Sequence, residues 1–221
     1  MNKKIKKIIE KKNKSKIVCL TAYSKSIAKI LDKFVDIILV GDSMANVLYG
    51  YKSTHQISLK NIIQHTQSVK MGTRKSLLVV DMPKGSYSNT KQAQKNAKLV
   101  MTKTKCDAIK LESNGRNFKI IKELVKKKIP VMGHIGYTPQ FKKKFKVEGD
   151  SKLGSLKLLK EASDIEKAGA FSIVLECISV KTAKIITREL NIPTIGIGSS
   201  LYCDGQILVT DDMLGISGFY P

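Results

Sequence analysis

The chain has 221 residues, 42% of them hydrophobic, enough for one large core, and a single domain over residues 1–221 is expected. Its formal net charge of +22 raises nucleic-acid binding, but the lysines are spread over the whole chain, the arginines are Arg74, Arg116 and Arg188, and Trp is absent. Readers of nucleic acid rely on Arg forks and stacking aromatics, so no nucleic-acid partner is expected, and lysine with abundant Ile and Asn fits an AT-biased genome. No apolar run approaches the roughly 20 residues that cross a bilayer, and residues 1–16 lack the apolar core and cleavage site of a secretory signal. A cytoplasmic protein with no membrane partner is the resulting expectation.

In chain order, Ile5, Ile8 and Ile9 recur at helical spacing among lysines, which predicts an amphipathic helix over 3–12 capping one end of the domain. Apolar, β-branched segments then predict strands at 17–20, 36–40, 77–80, 108–111, 130–132, 172–175, 194–197 and 206–209. Stretches with apolar residues three and four apart predict helices at 58–71, 90–102, 117–127, 156–168 and 180–190, with Ser179 as an N-cap and Gly169 as a C-cap. Near-continuous apolar strands alternating with helices imply a parallel sheet buried on both faces. Eight such units favour a (β/α)8 TIM barrel over an open doubly wound sheet, and no G-x-G-x-x-G turn follows the first strand. Residues 138–153 are the longest irregular stretch and carry Lys142, Lys143, Lys144 and Lys146.

Five of these strands stop on a polar residue: VDIILV-Gly-Asp42, LLVV-Asp81, DAIKL-Glu112, IPVMG-His134 and FSIVL-Glu176. Strand C-termini of a parallel barrel share one face, so these groups would converge there. Asp42, Asp81 and Glu112 are hard oxygen ligands of the kind that hold Mg²⁺, and three carboxylates together call for a cation or a basic partner. Lys110, two residues before Glu112, points the same way in a strand and is that partner's candidate. Taken singly, each acid has a plainer reading as a helix cap or the partner of a surface lysine. Glu176 is a candidate general base or an ion-pair member at the mouth, and His134 a donor to substrate or a buried imidazole. His65 sits in a helix-like stretch and reads as structural; His55 carries little signal.

Cys19, Cys106, Cys177 and Cys203 are widely spaced, without a C-x-x-C pair or zinc-ligand spacing, and read as reduced packing residues. The turn 196–200, GIGSS, follows the seventh strand, where many barrels bind phosphate, but does not by itself identify one.

The motifs LTAY (20–23), VGDS (40–43) followed by VLYG, Ser53-Thr54, DMP (81–83), IKLE (109–112), GHIGYTPQ (133–140), VLEC (174–177) and IPTIGIG running into DGQILV (192–209) resemble, in this order, the ketopantoate hydroxymethyltransferase family. The resemblance spans essentially the whole chain. It implies a magnesium-dependent barrel, one Mg²⁺ per subunit, that transfers the one-carbon unit of 5,10-methylenetetrahydrofolate to 3-methyl-2-oxobutanoate, giving 2-dehydropantoate and tetrahydrofolate. Carried over residue by residue, Asp42, Asp81 and Glu112 match the metal site, Asp42, Ser43, Asp81 and Lys110 the 2-oxoacid site, and Glu176 the proton acceptor. It also implies a homo-oligomer, typically a decamer.

The chain departs from the family pattern at Ala45, Ser113, Asn114 and Ser199-Ser200, where glycine or alanine is usual. It stops at Pro221, several helical turns before its relatives, so the eighth helix is expected to be missing or reduced. Two rival readings stand beside the transferase. One is another Mg-dependent 2-oxoacid lyase or mutase of the same superfamily, whose phosphorylated or dicarboxylic substrates would want further Lys or Arg clamps. The other is a decayed, noncatalytic basic protein. The lysines of 142–146 are a solvated loop or an attractor for the folate polyglutamate tail.

Overall fold

The computed structural model describes residues 2–142 and 144–218, so Lys143 of the lysine cluster lies outside the described residues. After helix α1 (Lys3–Glu10) the chain alternates strand and helix: β1 (Ile17–Thr21), α2 (Lys25–Leu31), β2 (Ile37–Val40), α3 (Met44–Val47), a 3-10 turn (Thr54–Gln56), α4 (Leu59–Gly72), β3 (Leu77–Asp81), α5 (Thr90–Thr104) and β4 (Ala108–Glu112). It continues with α6 (Phe118–Lys126), β5 (Val131–Gly136), α7 (Lys152–Lys167), β6 (Ser172–Glu176), α8 (Val180–Glu189), β7 (Thr194–Ile197), β8 (Gly205–Leu208) and α9 (Thr210–Met213). The strands pair in parallel in sequence order and β8 closes on β1, which is the TIM barrel expected.

Side-chain alternation along the strands produces two apolar layers. Ile37, Leu39, Leu77, Val79, Ala108, Met132, Val174, Ile195 and Ile207 point inward and pack as one cluster, while Ile38, Val40, Leu78, Val80, Ile109, Leu111, Ile173 and Leu175 face the helices. Both faces are buried, which is why the strands read as unbroken apolar runs rather than alternating ones. Ile5 and Ile8 of α1 belong to the inner cluster, so α1 plugs the N-terminal end of the barrel, as its spacing predicts. The C-terminal end is thereby left as the open mouth.

Several boundaries differ from the sequence reading. Helix α2 was not anticipated; it is seven residues long, too short for its periodicity to stand out, and is started by the Ser24 side chain accepting from the Ile27 N–H. Strand β5 runs to Gly136, past Gly133 and His134, because its partners β4 and β6 hold the extended backbone through that Gly-His pair. Helix α7 begins at Lys152, where Ser151 caps Gly154 N–H. Ser179 occupies the N-cap position of α8, but its hydroxyl donates to Gly149 O and caps nothing. Gly169 lies one residue past the cap of α7 with φ of +95°, its N–H donating to Glu166 O, the usual glycine stop. After β8, the described residues hold the single turn α9.

Candidate active site

A cavity of about 650 Å³ opens at the C-terminal mouth, and Asp42, Ser43, Asp81, Lys110, Glu112, His134 and Glu176 all line it. Strand register explains the convergence. Asp81 is the Cα partner of Lys110 across β3–β4, Glu112 that of His134 across β4–β5, and Glu176 that of Gly136 across β5–β6. Lys110 and Glu112 are two apart on β4 and therefore share the inner face. Asp42 lies two residues beyond β2, and Ser43 is the N-cap residue of the short α3.

Lys110 donates to Asp81 Oδ2 at 2.6 Å, both side chains being almost wholly buried. Burial alone would drive the Lys110 ammonium toward neutrality, but Asp81, Glu112 and Asp42 around it push its pKa upward instead. Burial raises the Asp81 carboxyl to about 6 despite the opposing pull of Lys110. Asp42 is raised by burial, and Glu112 well raised by burial together with repulsion from Asp42 and Asp81. Three buried carboxylates thus share one ammonium, an excess of negative charge that a cation would relieve.

That donor set fits a hard divalent cation. Asp81 Oδ1 is buried without a hydrogen-bond partner, an acceptor left open beside the oxygen that Lys110 holds. Among the described residues, no three His, Cys, Asp or Glu side chains gather closely enough to enclose an ion by themselves. An ion here would be held by one or two carboxylates and complete its shell with water and substrate oxygens, the habit of Mg²⁺.

Glu176 closes the opposite side. Its Oε2 is 3.1 Å from His134 Nε2, and His134 Nδ1 is 3.7 Å from Glu112 Oε1, neither in hydrogen-bond alignment. Burial first, and Lys110 second, hold His134 below the ordinary histidine pKa, so it is a neutral imidazole between two carboxylates. The Glu176 side chain keeps 19% of its surface exposed, against 1% for Glu112, so it is the acid that a ligand in the cavity meets first. Just after it, Cys177 adopts φ of +50°, a conformation that costs a side-chain-bearing residue roughly 1–3 kcal/mol. Its N–H donates to Ile197 O and its carbonyl accepts from Glu148 N–H, which fixes the turn that presents Glu176. Gly136, at φ +95°, faces the Glu176 carbonyl so closely that any Cβ would collide with it.

Other polar groups complete the mouth. Ser43 Oγ hydrogen-bonds Tyr23 O–H at 2.9 Å. Gln140, fully buried, donates from its backbone to Glu112 Oε2 and from its side chain to Asp42 Oδ2; sequence reasoning quoted it within GHIGYTPQ but assigned it no role. The signal available was its position in the turn directly after a site-bearing strand. His65, on α4, bonds Tyr23 O and Tyr49 O–H, the structural part expected of it, and His55 contacts Pro139 O at the rim. Of the lysine loop, Lys142 pairs with Glu148 and donates to Gly136 O. The four cysteines are buried and free.

A family model described as ketopantoate hydroxymethyltransferase matches residues 2–221. The chain belongs to this family. Among its curated relatives, the 3-methyl-2-oxobutanoate hydroxymethyltransferase of Pelagibacter ubique is 53% identical over 217 residues, 98% of this chain and 84% of that one. The enzymes of the same name from Anaplasma marginale (strain St. Maries) and Thermosipho africanus are 46% and 47% identical, each over 96% of this chain and over 77% and 82% of their own. Solved structures share the barrel at far lower identity. They include a 2,3-dimethylmalate lyase of the PEP mutase/isocitrate lyase superfamily, at TM-score 0.72 and 14% identity over 96% of this chain and 81% of that one. A phosphonopyruvate hydrolase complexed with oxalate and Mg²⁺ gives TM-score 0.73 and 11% identity over 97% and 83%. For a ketopantoate hydroxymethyltransferase family member these two likenesses establish the fold alone.

Proposed function

We propose that the chain transfers the one-carbon unit of 5,10-methylenetetrahydrofolate to 3-methyl-2-oxobutanoate, giving 2-dehydropantoate and tetrahydrofolate. The observation that carries the reading is the Asp81–Lys110 pair, flanked by Asp42 and Glu112, facing the more exposed Glu176 across one cavity in a chain of this family. Asp81 would hold Mg²⁺, with Asp42 and Glu112 as the further acids able to serve it directly or through water. When bound, the ion supplies the Lewis acidity that makes the C3–H of a 2-oxoacid removable.

Glu176 takes the C3 proton as general base. Neutral His134, 3.1 Å from its Oε2, lies beside that carboxylate without adding a positive charge that would weaken it as a base. Lys110 places its ammonium beside the negative charge developing on the oxoacid, and Asp81 keeps it from swinging away. The Ser43 hydroxyl, held by Tyr23, orients the substrate carboxylate. In the balanced transfer, water adds to the methylene carbon and its C–N bonds break, tetrahydrofolate leaving with one proton from water and the one from C3, while C3 forms its bond to that carbon, which keeps the water oxygen as its hydroxyl.

The lyase or mutase alternative is disfavoured by charge. Among the described residues lining the cavity, Lys110 is the only Lys or Arg, whereas a phosphorylated or dicarboxylic substrate would bring more negative charge than it can balance. The decayed-protein reading is disfavoured because the candidate set is complete and converges. A single barrel domain over residues 1–221, cytoplasmic and assembled as a homo-oligomer, a decamer by resemblance, belongs to the same proposal. Exposed Phe34, Leu153 and Leu201 support assembly, and no described helix is long and apolar enough to cross a membrane.

The test is to incubate the protein with 3-methyl-2-oxobutanoate in deuterated water, with Mg²⁺ and then with chelator, and to follow the C3 proton by NMR. Metal-dependent loss of that signal is expected. A folded, metal-loaded sample that exchanges nothing refutes the reading.

A further inference from the structure

We infer that Gln140 is a positioning residue that sets the spacing of Asp42 and Glu112, so that the cation site proposed above is shaped before any ligand arrives. The inference rests on that metal site and adds a residue that touches neither substrate nor metal.

Asp42 follows β2 and Glu112 ends β4, with β3 between them, so no strand pairing ties one to the other. The tie comes from the turn after β5. Gln140 N–H donates to Glu112 Oε2 at 2.9 Å, and its side-chain amide donates from Nε2 to Asp42 Oδ2 and to Met82 O, both at 3.0 Å. One residue thereby joins the ends of β2, β3 and β4. Two acceptors facing Nε2 fix the amide's orientation, and Tyr87 secures it by donating its O–H to Oε1 at 2.6 Å. Gln140 has no exposed surface and all of its side-chain polar atoms are paired.

The turn is itself anchored. Phe141 and Lys142 N–H both donate to Thr138 O, Lys142 Nζ donates to Gly136 O, and the Tyr87 ring meets Phe141 edge-on at 6.3 Å. The donor is thus held independently of the carboxylates it serves.

The residue type matters as much as the geometry. A Lys or Arg at this point would hold Asp42 but bring a positive charge among the carboxylates, competing with the cation. A Glu would add one more negative charge and lose the donor. An apolar side chain of the same length would fill the volume, keep the backbone N–H on Glu112 and leave Asp42 free to drift, so the spacing of the two acids would no longer be fixed. The neutral side-chain amide restrains Asp42 while the backbone N–H of the same residue restrains Glu112, and the charge of both acids stays available. Side chains that orient metal ligands in this way typically alter metal affinity or activity by about 10–100-fold when removed.

The experiment measures Mn²⁺ binding by electron paramagnetic resonance, with the metal alone and again with 3-methyl-2-oxobutanoate, on wild type, Gln140→Met, Tyr87→Phe and the double variant. Thermal unfolding runs in parallel. Gln140→Met is expected to weaken Mn²⁺ binding about 10–100-fold. Tyr87→Phe should act in the same direction but less, and the pair should be less than additive because both act through one amide. Mn²⁺ affinity equal to wild type in folded Gln140→Met, or in folded Tyr87→Phe if the former does not fold, overturns the inference, as does additivity of the two. A wild type that binds Mn²⁺ but exchanges no C3 proton refutes the transferase reading and leaves the affinities to decide Gln140.

Discussion

Replacing Lys110 by Met removes the one ammonium among three buried carboxylates while keeping most of the side-chain volume. Its partner Asp81, 2.6 Å away and 2% exposed, is left as a buried, unpaired charge. Breaking a buried pair from one side costs about 3–5 kcal/mol. For a chain of this size each kcal/mol moves Tm by about 2–4 °C, so the loss should be roughly 6–20 °C. The effect carries a pH signature. Asp81 already titrates at about 6 when folded against 3.8 unfolded, and without Lys110, which lowers it, that value climbs further. A carboxyl whose folded pKa is raised contributes stability below the unfolded pKa that is lost as pH rises through the folded one. The Tm deficit of the metal-free variant should therefore be larger near pH 8 than near pH 5, where protonation relieves the unpaired acid. C3 exchange of the oxoacid should fall by at least about 10² as electrostatic stabilisation is lost. Circular dichroism melts at the two pH values check the first claim. A deficit that is absent near pH 8, or larger near pH 5, refutes the reasoning.

Glu176→Gln should keep 3-methyl-2-oxobutanoate binding and lose C3 exchange by at least about 10², measured by NMR in deuterated water; exchange at the wild-type rate would remove Glu176 from the role of base. Because the three carboxyls are all raised, metal-free protein should lose stability as pH rises through about 6, and Mg²⁺ should restore it by displacing the retained protons. At one fixed Mg²⁺ concentration, set to 100 times its Kd at pH 8, stabilisation should thus reach about 2.7 kcal/mol at pH 8 for a single site and be smaller at pH 5 in calorimetric scans against EDTA. An equal shift at both pH values contradicts the charge argument. Ile8→Ala, in the plug at the far end of the barrel, should cost about 2–5 kcal/mol by leaving a cavity while leaving Mn²⁺ affinity unchanged; lowered affinity would show that α1 shapes the mouth as well.

The order of residues alone carried the local and periodic features. Apolar β-branched runs ending on Asp81, Glu112 and Glu176 marked strands and their exits, and Ile5 and Ile8 marked the inward face of a capping helix, because a strand or helix writes its period directly into the order of residues. Strand alternation was enough to put Lys110 and Glu112 on one face. Alternation could not say which acid Lys110 would hold. The staggered β3–β4 register sets Asp81, not Glu112, beside it, and that register follows from closing eight strands into a barrel. Helix α2 escaped notice because seven residues carry too little period to separate from a loop. Gln140 escaped for a different reason. Its partners, Asp42 and Glu112, lie 98 and 28 residues away, and only the folded turn after β5 brings the side chain and the backbone N–H of one residue within reach of both.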